Sequence, residues 1–160
     1  HLVSKKRKRI GLVNGSSSTL SSEEKLKGFR LGLLNHDLPF STKQVLESEF
    51  NADDGYEKTL ELLKANPKLD AIIFAADDIA MGGVHALKET GKRIPKDVAV
   101  MGYYDHGLAR FIDPPLSSVA VDLQQMGAVA AERLLMLIDK PSEDAWRIVL
   151  PTSLVIRDST

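Results

Sequence analysis

The 160-residue chain contains no cysteine. Disulfides, thiolate metal sites and cysteine nucleophiles are therefore excluded, and the usage fits a reducing, cytoplasmic setting. Long apolar runs are missing too. No stretch reaches the roughly twenty residues of a membrane span. The basic stretch near the start is not followed by a long apolar region, so it does not read as a signal peptide. Charge of one sign is also lacking: the net charge is −1, which gives the chain as a whole no electrostatic footprint for nucleic acid. His1, His36, His85 and His106 show no metal-ligand spacing. Neither G-x-S-x-G nor H-E-x-x-H occurs, and no catalytic residue, metal or cofactor is expected. What is present is 43% apolar and 27% charged residues. That is globular composition, with length enough for one core and one domain.

The chain is organised around VAVMGYYDHGLARFIDPPLSSV, Val98 to Val119. Val98 to Met101 is a short continuous apolar run, which reads as a strand buried on both faces of a parallel sheet. Gly102 is expected to let the chain turn as it leaves that strand. Tyr103, Tyr104, Asp105 and His106 then sit just past the strand's carboxyl end, where open α/β sheets bind ligands. Asp113-Pro114-Pro115 stops any helix begun at Leu108.

Before that stretch, strands and helices alternate. Lys5 to Arg9 is a basic run that reads as a solvated lead-in to a strand, and His1-Leu2-Val3 looks like the end of a helix whose start is missing. Ile10 to Val13 is the first buried strand. A serine-rich loop follows, and Ser21 with Glu24 fits a capping box for a helix carrying Leu26, Phe29, Leu33 and Leu34. This loop lacks the glycines and Gly-Lys-Ser ending of a P-loop. Val45 to Phe50 is a second strand. Asn51 to Gly55 fails the spacing of a calcium loop, and one of its aspartates is expected to cap a helix with Tyr56, Leu60 and Leu63 inward. Asp70 to Ala76 is the third strand. Asp77-Asp78 fits an N-cap and a favourable charge at the next helix dipole. That helix, Ile79 to Thr90, carries Gly82 and Gly83, which allow a neighbour to approach closely. After Val119 to Val121, Asp122 caps a long helix from Leu123 to Ile138. Pro141 to Asp144 reads as a polar loop, and Arg147 to Ile156 as an edge strand or two short ones around Pro151. The alternation predicts mainly parallel pairing in a three-layer α/β/α sandwich.

The central stretch resembles the G-[FY]-D-D … A-R … P-P-L-[ST]-[ST]-V segment of the LacI/GalR family of bacterial transcription regulators, at Gly102, Tyr103, Asp105, Leu108, Ala109, Arg110 and Pro114 to Val119. Lys8 to Leu12, Lys25 to Phe29, Asp53 to Tyr56, Asp70 to Gly82, Pro95 to Val98, Met126 to Ala128 and Leu150 to Arg157 match further family motifs in order. The resemblance implies a periplasmic-binding-protein-like lobe made of residues 8–120 and 148–158. The helix over 122–140 belongs, in the family, to a first lobe absent here, and the DNA-binding helix-turn-helix is absent as well. That helix is expected to pack its apolar face on its own lobe or on a second copy. A homodimer is implied through Met81, Val84, Phe111 and Ile112, with operator DNA contacted only by the missing N-terminal region.

The resemblance also places a small-molecule effector between the lobes. The ligand-stacking aromatic falls on Phe50, and Thr19, Ser21, Asp77 and Asp105 are polar candidates at the mouth. The family's effector-binding Arg falls on Lys25, its Asn on Ala76 and its first loop Asp on Tyr104. Lysine keeps the charge but loses the bidentate fork. Ala76 offers only backbone groups, and Tyr104 replaces a carboxylate with a ring and a hydroxyl. A neutral monosaccharide is therefore disfavoured against a sugar acid or sugar phosphate. Competing readings are a periplasmic-type sugar-binding protein, a lobe controlled by a protein partner, and an enzyme using Asp105-His106 for acid–base work. A phosphorelay receiver is disfavoured because Asn14-Gly15 stands where its acidic pair belongs.

Overall fold

A computed structural model of the chain describes residues 1–140 and 147–160. The expected loop at Pro141 to Asp144 lies outside the described residues. The elements are β1 (Ile10–Asn14), α1 (Leu20–Leu34), β2 (Val45–Glu47), α2 (Ala52–Ala65), β3 (Ala71–Phe74), α3 (Asp77–Glu89), β4 (Ala99–Tyr104), β5 (Ser117–Val121), α4 (Leu123–Asp139) and β6 (Thr152–Val155). They form one sheet in the order β2-β1-β3-β4-β5-β6. The first five strands are parallel, and β6 runs antiparallel against β5, with Val119 opposite Leu154.

Side chains alternate across the sheet because successive Cβ atoms point to opposite faces. Val13, Ile72, Phe74, Val98 and Val100 face α2 and α3 in one core cluster. Ile10, Leu12, Ala71 and Ala99 face the other way, with Phe29 and Leu33 of α1 and Leu2 of the amino-terminal turn. The expected three-layer sandwich is what forms. Helices α2 and α3 touch backbone to backbone. A Cβ on Gly82 would stand 1.8 Å from the Ala52 carbonyl oxygen, and one on Gly55 would stand 2.3 Å from that of Ile79. A Cβ on Gly83 would strike the Phe74 ring.

Several local expectations are corrected. Thr19, not Ser21, is the N-cap of α1, accepting from the Ser22 N–H. Asn51, not an aspartate, caps α2 through the Asp54 N–H. The fully buried residues of α2 are Gly55, Thr59 and Leu62, while Tyr56, Leu60 and Leu63 are half-buried, Leu63 packing on the core as expected. Leu34 of α1 is exposed. The cap residue of α3 is Ala76, with no side-chain cap bond. Gly102 lies within β4 rather than at its exit, and the turn comes at Tyr104 and Asp105, both with positive φ (94° and 55°). Glycine is required at 102 for a different reason: a Cβ there would lie 2.2 Å from Asp77 Oδ1.

The lead-in is structural. Asp70 accepts from the N–H groups of Lys8 and Arg9 and pairs with the Arg9 guanidinium at 3.2 Å. Helix α4 follows β5. None of its residues is buried, and only Val129, Arg133 and Leu137, on the face toward the groove, are half-buried, so its apolar face is not sealed against its own lobe.

Candidate ligand-binding site

All five parallel strands end on one side of the molecule, and the site lies there. Two open cavities meet at Tyr104. The smaller, about 450 Å³, lies between Tyr104 and Asp105, the β5–α4 junction (Val121, Asp122, Gln125) and Pro151 to Ser153 of the returning chain. The larger, about 1350 Å³, is an apolar groove between α1, the adjacent sheet face and α4. Its sheet floor includes Ile73, Met101 and Val119, and its polar rim includes Ser21, Lys25 and Tyr103.

Lys25 is the centre of that rim. Position 25 is one turn into α1, which Thr19 starts, so its side chain reaches back toward the strand ends. Its Nζ donates to Ser21 Oγ at 2.8 Å and lies 3.5 Å from Tyr104 Oη. The ammonium sits 4.5 Å from the Tyr103 ring centroid and 5.2 Å from that of Tyr104, within range of cation–π attraction. The two rings meet edge to face at 84°. Burial holds the Tyr103 hydroxyl above its ordinary pKa, with the Tyr104 hydroxyl adding to the effect. Tyr104 also stacks on His106 at 5.5 Å and 11°.

Asp77 supports this wall from below. It is 3% exposed. Oδ1 accepts from Ser118 Oγ and Oδ2 from the His106 N–H, both at 2.7 Å. Burial pushes its carboxyl pKa up, against the downward pull of those two bonds. Asp105 gives its N–H to Ser118 Oγ and pairs with Arg157 at 2.6 Å.

The structure thus brings Ser21, Lys25, Tyr104 and Asp105 to the cavities. Thr19, Phe50, Ala76 and Asp77 line neither of them. Thr19 caps α1, Ala76 and Asp77 are buried, and Phe50, 48% exposed, lies over Gly15. Of the residues expected at a dimer face, Met81 and Phe111 are exposed. Val84 belongs to the core and Ile112 packs on it. Ser118 and Arg157 escaped the sequence reading as site residues. The only signal for either was membership of a matched motif. Among the described residues no group of three or more His, Asp or Glu side chains could hold a metal. His106 Nδ1 faces Asp78 at 3.7 Å, and Asp105 pairs with Arg157.

Five parallel strands, one antiparallel return strand and open cavities at the carboxyl ends make up a periplasmic-binding-protein-like lobe. The chain belongs to the family of periplasmic binding protein-like domains, whose profile matches residues 1–160. It is 30% identical over 99% of its length to the ribose operon repressor of Haemophilus influenzae. It is 33% identical, again over 99%, to the lactose operon repressor of Klebsiella pneumoniae. Among solved structures it is similar to a complex of the transcriptional regulator CelR with cellobiose (TM-score 0.96, 31% identity, 99% of this chain and 49% of that one). It is also similar to the Lac repressor bound to ONPG (TM-score 0.91, 29% identity, 100% of this chain and 48% of that one). The chain spans about half the length of these relatives, 48% and 44% of the two repressors. Among the described residues no helix is long and apolar enough to cross a membrane.

Proposed function

We propose that this chain is the C-terminal effector-sensing part of a LacI-type bacterial transcription regulator. A sugar-like or anionic small molecule binds between this lobe and a first lobe, and its binding controls operator recognition by a helix-turn-helix outside these residues. The role is regulatory rather than enzymatic, exercised in the cytoplasm, in a homodimer to which Met81 and Phe111 contribute. Helix α4 belongs with the first lobe, whose surface covers its apolar side chains.

The observation that carries this reading is the rim of Lys25, Ser21, Tyr103 and Tyr104 in a fold shared with a cellobiose-bound regulator. The cation favours an anion. Among the described residues Glu24 is the one carboxylate on the groove, and it is paired with Lys27 at 3.1 Å. The aromatic faces suit a sugar ring.

A thermal-shift screen of a polypeptide carrying both lobes tests the reading. The compounds are neutral sugars, sugar acids, sugar phosphates and nucleobases. A ligand at a hundredfold excess over its Kd stabilises by about 2.7 kcal/mol, a readily measured shift. The expected outcome is a sugar acid or sugar phosphate among the hits, with the shift abolished by Lys25→Met. A blank across all classes from a well-folded protein overturns it.

A further inference from the structure

Tyr104 and Asp105 are consecutive non-glycine residues at positive φ, a conformation that persists only where the surroundings hold it. The groups that hold it come from distant parts of the chain. Ser118 of β5 takes the Asp105 N–H at 3.1 Å, and Asp77 of α3 takes the His106 N–H. The third group is Arg157, two residues beyond the end of β6. Its Nη1 donates to Asp105 Oδ1 and to the Leu116 carbonyl, each at 2.6 Å. Its backbone is fixed in turn, the Arg157 N–H donating to Ser117 Oγ at 2.8 Å and the Arg157 carbonyl accepting from the same hydroxyl at 3.1 Å. The ion pair is four-fifths withdrawn from solvent on both sides, so its attraction is less screened than that of a surface pair. Arg157 itself lines neither cavity.

We propose that Arg157 is a positioning residue for the ligand wall. Delivered by the return strand β6, it clamps Asp105, and through Asp105 it sets the Tyr104 ring against Lys25 and His106. Because β6 is reached through the segment that follows α4, the clamp joins that crossing to the wall: displacement of β6 relative to β5 moves Tyr104. Arg157 touches no ligand. The significance of the clamp rests on the reading of Tyr104 as a ligand-site residue, but its existence is measurable without any ligand.

The test is the NMR shift of the His106 ring protons in the 160-residue chain. Tyr104 stacks flat on His106, so its ring current moves those protons upfield. Tyr104→Leu defines the unstacked position. Arg157→Met and Asp105→Ala are each expected to move the His106 signal to that position while amide signals of β1 and β3 stay put. The double variant is expected to move it no further than Arg157→Met alone, because both changes remove the Asp105–Arg157 contact. If Arg157→Met does not fold, Asp105→Ala decides by itself. A His106 signal that keeps its stacked position when the ion pair is broken overturns the proposal. A blank effector screen would leave this result untouched, so the two failures are distinguishable.

Discussion

Two glycines separate close packing from mere tolerance at the level of single atoms. Gly82 stands against the backbone of α2, where no rotamer change can make room for a Cβ. Gly82→Ala is expected to cost 1–3 kcal/mol or more, the usual range for overpacking. Gly28, mid-helix in α1, has nothing within 4 Å of a built Cβ. Gly28→Ala is expected to stabilise by about 1 kcal/mol through helix propensity alone. Urea denaturation of both variants checks the pair, and equal shifts in one direction would contradict it. Asp77 gives a pH-dependent case. Its folded pKa is raised by burial above the ordinary value of 3.8. In that window the native state binds more protons than the unfolded chain, so the contribution of Asp77 to stability falls as pH rises through it. The stability advantage of the wild type over Asp77→Asn should be largest in acid and narrow toward neutral pH. An advantage that grows with pH contradicts this. At this scale the site was only half legible. Lys25 and Tyr104, which the family resemblance singled out, both line the groove. Asp77 was read as a cap because an aspartate after a strand commonly is one, and its bonds to Ser118 and His106 span 41 and 29 residues of sequence. No local pattern carries such information.

Among the elements, the buried strands were the easiest to read. Apolar runs such as Ala71–Phe74 have no polar alternation because helices cover both faces. Helix starts were harder: Thr19, Asn51 and Ala76 each displaced an equally plausible neighbour, and the choice turns on one backbone conformation. Helix α4 was read correctly as a helix with an apolar stripe, but a stripe does not say what it faces. Its exposure sets an expectation. Leu62, fully buried between α2 and the sheet, should cost 2–5 kcal/mol on truncation to Ala. Leu134 of α4, 59% exposed, should change stability by only about 0.5 kcal/mol in this chain. Amide exchange should likewise be faster along α4 than in α3. Equal costs for the two leucines would show α4 packed on the core.

At the scale of the molecule, parallel pairing and layer order follow from strand–helix alternation, and the family from ordered motifs of which each alone is weak. What single motifs do not encode is the state of the ligand wall, because that wall is assembled from α1, β4, β5 and the return strand together. The central claim is that Lys25 and the Tyr103–Tyr104 pair take a sugar-like anion. The measurement that tests it most directly is calorimetric titration of a two-lobed polypeptide with a neutral sugar and with its phosphate, repeated on Lys25→Met. The account predicts tighter binding of the phosphate and loss of that preference in Lys25→Met. Tighter binding of the neutral sugar, or a phosphate preference that survives the substitution, would contradict it.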